Sequence, residues 1–346
     1  MKTIEIRTDS RISRILVGEK LQNLSKYLPD AKTVIITDTN VSRLYKKYFP
    51  PCPVIEIGLG EKNKTIDTLN YIFGRFVEHE VDRSTFVVGI GGGIVCDVAG
   101  FAASVFMRGL KFGFVSTTLL SQVDASVGGK NGVNYEGYKN MIGTFSQPDF
   151  VICDSEMLKT LEKKQFVAGF AEIVKAGAIK DDGFFAYLEN NYEKALSMDS
   201  DVINKLVHDS VLIKSAVVEA DEKEKGERRK LNFGHTFAHS FEKLTGILHG
   251  EAVSAGMVLA SKLSQKMGLI READYKRIRS LLENLGLPTA VSFDNSKIFN
   301  IMRQDKKREG DTIHLVLLEK IGNAIIIKVS LKQLEEMIND LRSDIR

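Results

Sequence analysis

Cysteine is scarce in this chain: Cys52, Cys96 and Cys153 are the three among 346 residues, with no Cys-x-x-Cys pair. That odd, scattered set excludes a disulfide framework and predicts reduced, mostly buried thiols in a cytoplasmic protein. Net charge is equally sparse, since 48 basic residues against 45 acidic ones leave +3. Such a balance carries no footprint for nucleic acid or for a membrane surface, and neither partner is expected. Met1 to Arg7 lack the apolar core of a signal peptide and read as a first strand. Repeats and low-complexity linkers are missing too. One run, Phe86 to Met107, is long enough to cross a bilayer and has Asp97 as its single charge. Its glycines (Gly89, Gly91, Gly92, Gly93 and Gly100) predict a buried strand, a tight turn and a helix instead.

What is present divides by period. Short β-branched runs alternate with helical stretches up to about residue 155: Thr33–Thr37, Val54–Ile57, Thr85–Gly89, Phe112–Ser116 and Phe150–Cys153. Apolar strands between helices predict a largely parallel sheet covered on both faces. Beyond residue 160 the period lengthens to 3.6 residues over Lys164–Ile179, Val202–Glu219, His235–Leu244, Glu251–Met267 and Arg271–Leu285. A late hairpin, Ile313–Leu318 with Ala324–Lys328, interrupts it. The expectation is an α/β domain over 1–157 and a mostly α-helical domain over 158–346.

Thr85-Phe-Val-Val-Gly-Ile-Gly-Gly-Gly-Ile-Val-Cys-Asp97 reads as strand, glycine turn and helix. Glycines let backbone N–H groups approach a pyrophosphate, and the helix start adds a favourable dipole. The spacing departs from G-x-G-x-x-G because Ile94 stands where the last glycine belongs. Tight strand-to-helix packing would explain the glycines equally well. Asp38-Thr-Asn40 follows an earlier strand, where an acid can meet a ribose hydroxyl. Gly60-Glu-Lys-Asn-Lys64 follows another; each could also be an ordinary polar turn.

Glu172, His235 and His249 are one carboxylate and two imidazoles, the ligand types of a catalytic zinc site with an open position. His235 and His239, four apart, share a helix face, but no glutamate follows His235 as in the His-Glu-x-x-His proteases. From spacing alone a metal role and a structural role both stand, and His239 suits a substrate contact as well. Arg108, Lys130, Lys139, Asn140, Lys175, Lys214 and Arg228 recur in glycine- or turn-rich settings. Lysine is usually solvated, yet Lys130 and Lys175 lie in apolar, glycine-rich contexts typical of pockets. Together these groups suit a small polyanion bearing phosphate and carboxylate, with Asp124 as the acidic member of the site.

Several long motifs occur in order: Gly91-Gly-Gly-Ile-Val-Cys-Asp-Val-Ala-Gly-Phe-Ala-Ala103, Arg108-Gly, and Thr117-Thr-Leu-Leu-Ser-Gln-Val-Asp-Ala-Ser-Val-Gly-Gly-Lys130. Lys139-Asn-Met-Ile-Gly143, Ala171-Glu-Ile-Val-Lys175, Leu231-Asn-Phe-Gly-His235, His249-Gly-Glu-Ala-Val253 and Asp305-Lys-Lys307 follow. From roughly Asp38 to Lys307 the chain resembles the 3-dehydroquinate synthases, which are sugar-phosphate cyclases. Three places depart from the pattern: Cys96 and Tyr138 stand where glycine is usual, and Gln165 where an acid is common.

The resemblance implies a Rossmann-like N-terminal domain and a helical C-terminal one, with the active site in the cleft between them. It implies that Glu172, His235 and His249 hold a divalent zinc or cobalt ion. NAD contacts fall on Asp38, Asn40, Glu61 and Lys64, then on Gly92, Gly93, Ile94 and Asp97. Thr117, Thr118, Met157, Lys159 and Thr160 continue that set. Asp124, Asn140, Lys175, Lys214, Arg228, Asn232 and His239 match the substrate pocket, completed by Lys306 or Lys307. Lys130 and Lys139 count for both groups, and Arg108 is expected to reach across from a second subunit of a homodimer. The implied reaction turns a sugar phosphate, 3-deoxy-D-arabino-heptulosonate 7-phosphate, into 3-dehydroquinate and phosphate. Rival readings are a cyclase for another sugar phosphate and a glycerol-dehydrogenase-like NAD/metal oxidoreductase. Replacing Lys175 or Arg228 with alanine is expected to cost activity far more than stability.

Overall fold

A computed structural model describes residues 1–8, 11–291, 301 and 312–343. The chain forms two compact units: Met1–Glu162 with Ile203–Lys223, and Lys163–Val202 with Glu224–Arg346.

The first unit is built on a seven-stranded sheet. Its strands are β1 (Lys2–Arg7), β2 (Ile12–Val17), β3 (Thr33–Asp38), β4 (Val54–Ile57), β5 (Phe86–Gly91) and β6 (Lys111–Ser116). A hairpin, β7 (Lys130–Tyr135) with β8 (Tyr138–Phe145), precedes the last sheet strand, β9 (Phe150–Cys153). The order is β1-β2-β9-β6-β5-β3-β4, parallel throughout except for the β1–β2 pair. Every residue of β5 and β9 is buried, as both faces of a covered parallel sheet require, whereas edge strand β4 alternates. Helices α1 (Thr39–Tyr45), α2 (Ile66–Glu78) and α3 (Gly93–Val105) follow β3, β4 and β5.

Parallel strands align their carboxyl ends, and that edge gathers the sequence motifs. Asp38 ends β3 opposite Ile57, Gly91 ends β5 opposite Ser116, and Ser116 pairs with Cys153. From β3 the chain moves outward to β4, while from β5 it moves the other way to β6. The switch point therefore lies between β3 and β5, where doubly wound sheets take their ligands. Phe86 to Met107 folds as β5, a glycine turn and α3, and no helix among the described residues is long and apolar enough to cross a membrane.

The second unit holds α4 (Lys163–Lys180) and α5 (Asp182–Leu196), and α6 (Ser200–Ala220) starts in it. It continues with α7 (His235–Thr245), α8 (His249–Lys266), α9 (Glu272–Asn284), the hairpin β10 (Thr312–Lys320) with β11 (Asn323–Ser330), and α10 (Leu331–Ser343). From Ile203 onward α6 belongs to the first unit, an assignment its 3.6-residue period could not reveal. Cys96 and Cys153 are buried and Cys52 is partly so. Burial pushes the Cys153 thiol up to about 12 and that of Cys52 to about 11, which leaves both inert.

Candidate active site

Three helices of the second unit converge on one point. Glu172 lies in the middle of α4, His235 opens α7 and His249 opens α8. Two glycines on α8 permit the approach. A Cβ on Gly250 would fall 2.6 Å from the carbonyl carbon of Ala168, one turn before Glu172, and closer still to its oxygen. A Cβ on Gly256 would press on the Gly234 carbonyl, immediately before His235. With no side chain at either position, the helices pack backbone to backbone. One ligand atom from each of Glu172, His235 and His249 then lies within 4.8 Å of the others. His235 Nε2 is 3.5 Å and His249 Nε2 3.4 Å from Glu172 Oε1.

A divalent cation fits this donor set. Glu172 is 2% exposed, and neither carboxylate oxygen has a hydrogen bond of regular geometry; its neighbours are the two imidazoles and the Lys175 ammonium. A buried carboxylate ringed by nitrogen donors gains from a metal what it has lost from water. His239 stays outside the set: its ring stands edge-on to His235 at 5.8 Å, so the four-residue pair is not the ligand pair.

Glu242 was not singled out from sequence. Its carboxylate meets His249 Nδ1 at 3.3 Å, on the ring edge opposite Glu172. The signal was available, because Glu242 follows His235 by seven residues and so lies on the same helix face. Burial acts to lower the basicity of His249, but Glu172 and Glu242 outweigh it and push the metal-free imidazole up to about 9. An imidazole must be neutral to ligate a metal, so loading below that pH expels a proton. Zinc affinity, read against a competing chelator, should climb about tenfold per pH unit and level off above pH 9. A flat profile would contradict this proton. The same shift sets the stability of metal-free protein, because the folded value exceeds the ordinary 6.5. The charged ring contributes fully below pH 6.5 and its contribution is lost as pH rises through 9.

The second unit holds further cations and amides. Lys175, one turn beyond Glu172, is 3% exposed and ion-paired with it. Arg228 lies in a short helical turn, Glu227–Asn232, and is 1% exposed, the largest of the fully buried side chains. Asn232, in the same turn, donates to Glu224. Lys306 and Lys307 lie outside the described residues.

In the first unit, Lys64 is buried between Asp97 and Asn140 and bonded to both. Burial raises the Asp97 carboxyl, and Lys64 opposes that rise. Glu61 accepts from Asn134 at 2.8 Å. The Lys214 ammonium reaches the carboxylate and the backbone carbonyl of Asp124, both at 2.6 Å. Gly92 caps α3, and Gly93 and Ile94 form its first turn, while Thr117 N–H donates to the Gly91 carbonyl at 3.0 Å. Thr118 bonds Ser121 in the turn that follows. Asp38 caps α1 through the N–H groups of Asn40 and Val41, and burial raises its carboxyl. Tyr45 bonds Thr160 at 2.6 Å beside the buried Met157, and Lys159 pairs with Glu156.

One expectation of burial needs correction. Lys130 is exposed, not enclosed, because the Gly128-Gly129 turn leads it out as the first residue of the β7–β8 hairpin. Lys139 is exposed on the partner strand. That hairpin has a largely exposed second strand, so the apolar alternation that betrays a strand is absent. Arg108 is exposed too, with φ +70°.

Comparison with known proteins divides the chain at residues 168 and 169. The family model for the 3-dehydroquinate synthase N-terminal region matches residues 54–168, and that for the C-terminal region matches 169–308. The 3-dehydroquinate synthase of Acidithiobacillus ferrooxidans (strain ATCC 53993 / BNL-5-31) is 42% identical over 311 residues, 86% of this chain and 85% of that one. A solved 2-deoxy-scyllo-inosose synthase, complexed with carbaglucose-6-phosphate, NAD+ and Co2+, is 27% identical with a TM-score of 0.85, covering 98% of this chain and 100% of that one. A 2-epi-5-epi-valiolone synthase from Streptomyces hygroscopicus subsp. jinggangensis 5008, with NAD+ and Zn2+ bound, is 26% identical with a TM-score of 0.87 over 99% of each chain.

Proposed function

The chain belongs to the 3-dehydroquinate synthase family, and we propose that it converts 3-deoxy-D-arabino-heptulosonate 7-phosphate into 3-dehydroquinate and phosphate. The observation that carries this reading is the meeting of Glu172, His235 and His249 within 4.8 Å in a chain of that family. Its cofactors are NAD and a divalent cation, for which we infer zinc or cobalt. Bound NAD supplies reversible hydride acceptance, and the cation supplies Lewis-acid polarisation of a hydroxyl or carbonyl oxygen.

The chain's own residues bind and orient. Glu172 and the two Nε2 atoms hold the cation. Gly92 and Gly93, at the start of α3, leave backbone N–H groups open to a pyrophosphate. Asp38 sits at the carboxyl end of β3, where an acid suits a ribose hydroxyl. Lys175, Lys214 and Arg228 supply positive charge for phosphate and carboxylate; Arg228, fully buried, presents a rigid fork of donors suited to either. His239 and Asn232 offer hydrogen bonds beside the cation without ligating it. Fixing a flexible sugar phosphate by both ends removes much of the entropy barrier to elimination and ring closure.

A cyclase for a sugar phosphate that lacks a carboxylate would have less for so many cations to meet. We further infer a place in aromatic amino acid biosynthesis, a cytoplasmic setting and a homodimer. Exposed Arg108 beside exposed Met107 and Val105 supports the last of these.

The test combines purified protein, NAD and the heptulosonate phosphate, with and without chelator. Phosphate release matched by dehydroquinate, with no net NADH, is the expected result. NADH accumulating without phosphate release would move the chain to the dehydrogenases.

A further inference from the structure

We propose that Glu242 is a positioning residue for the metal centre: its carboxylate holds His249 in the tautomer and ring orientation that aim Nε2 at the cation. The inference rests on the reading of Glu172, His235 and His249 as the ligands.

Both histidines use the same device with different acceptors. His235 Nδ1 faces the Phe233 carbonyl at 3.3 Å, a backbone group fixed by the fold. His249 Nδ1 faces the Glu242 carboxylate at 3.3 Å. An acceptor on Nδ1 places the proton there and leaves Nε2 with its lone pair for a metal. His249 has the greater need of help. It is the first residue of α8, and its side chain is 31% exposed against 11% for His235.

The position of Glu242 argues against a merely structural role. It occupies the last turn of α7, where the helix dipole disfavours negative charge, and its side chain is 4% exposed. Burying a carboxylate at the wrong end of a helix costs stability unless a cationic or polar partner repays it. Gly246, left-handed at φ +69°, stops α7 and returns its N–H to the Glu242 carbonyl. Three residues later α8 begins at His249, so this tight connection brings Glu242 and His249 face to face.

The experiment measures zinc affinity by chelator competition, together with the cobalt(II) absorption spectrum and the unfolding temperature of metal-free protein. Glu242→Ala should weaken zinc binding roughly 10–100-fold and alter the cobalt spectrum. Glu242→Asp keeps the charge but withdraws the acceptor, and should lose affinity as well. Glu242→Gln keeps an acceptor oxygen in place and should restore most of it. Wild-type affinity in both the Ala and Asp variants, with only a lower unfolding temperature, would overturn the proposal. His249→Ala separates the premise: if it binds zinc as tightly as wild type, the ligand reading itself fails whatever Glu242 does.

Discussion

Exchanging Glu172 for alanine should abolish metal binding, reduce turnover on the order of a thousandfold, and destabilise the metal-free protein. The first two effects follow from the donor set, since a Lewis acid contributes several kcal/mol to stabilising developing charge. The third comes from Lys175. Its ammonium is buried in the next helical turn with Glu172 as ion-pair partner, at side-chain exposures of 4% and 1%. Removing one member of a buried pair costs roughly 3–5 kcal/mol, because the other charge stays desolvated. Glu172→Gln separates the two roles. It keeps an oxygen for the ammonium, so metal-free stability should recover substantially while metal affinity and turnover remain lost. Calorimetric unfolding of chelator-treated protein and zinc titration check the two halves independently. Equal stability of the Ala variant and wild type without metal would show that the pair contributes nothing.

This burial also revises the expectation that alanine at Lys175 or Arg228 costs activity far more than stability. At 3% and 1% exposure both side chains fill interior space, so truncation removes packing along with charge. Lys175→Ala also leaves the Glu172 carboxylate without its ammonium. Loss of activity in these variants therefore has to be read beside an unfolding curve.

The sheet was legible in the sequence because a covered parallel strand must be apolar along its whole length. Phe150–Cys153 begins and ends where its apolar run does, and the edge strand Val54–Ile57 where its β-branched residues do. Alternation and turn chemistry likewise announced the late β10–β11 hairpin. The β7–β8 hairpin escaped because its second strand is mostly exposed and its apolar residues do not alternate with polar ones, leaving no period to detect. Helix α6 illustrates a different limit: its period marks a helix but carries no information about which unit will pack against it. The candidate metal site was legible through residue type and family resemblance, not through spacing. Spacing draws attention to His235 and His239, whereas the structure joins His235 to His249 and to Glu172, a residue from another helix far back in the chain. What unites these three is helix packing, and the packing depends on where side chains are missing.

Placing a methyl group on Gly250 should therefore harm both stability and metal binding, although Gly250 is not a ligand. Its Cβ would sit 2.6 Å from the Ala168 carbonyl carbon and 2.9 Å from its Cα, and both of these atoms are backbone of α4. A flexible side chain could rotate aside; a helix backbone has to shift as a body. Overpacking of this kind costs roughly 1–3 kcal/mol, and more where backbone meets backbone. Separating α8 from α4 also draws His249 away from Glu172, since His249 is the adjacent residue and Ala168 lies one turn from Glu172. Gly268→Ala is the matched control: its φ of +72° is strained for alanine, but no atom lies within 4 Å of the new methyl. That variant should lose about 1 kcal/mol of stability and keep wild-type zinc affinity. Gly250→Ala should show a lower unfolding temperature, weaker zinc binding and a changed cobalt spectrum together. Destabilisation with unchanged affinity would mean that the three ligands adjust independently of the α4–α8 contact, and that this close approach serves packing alone.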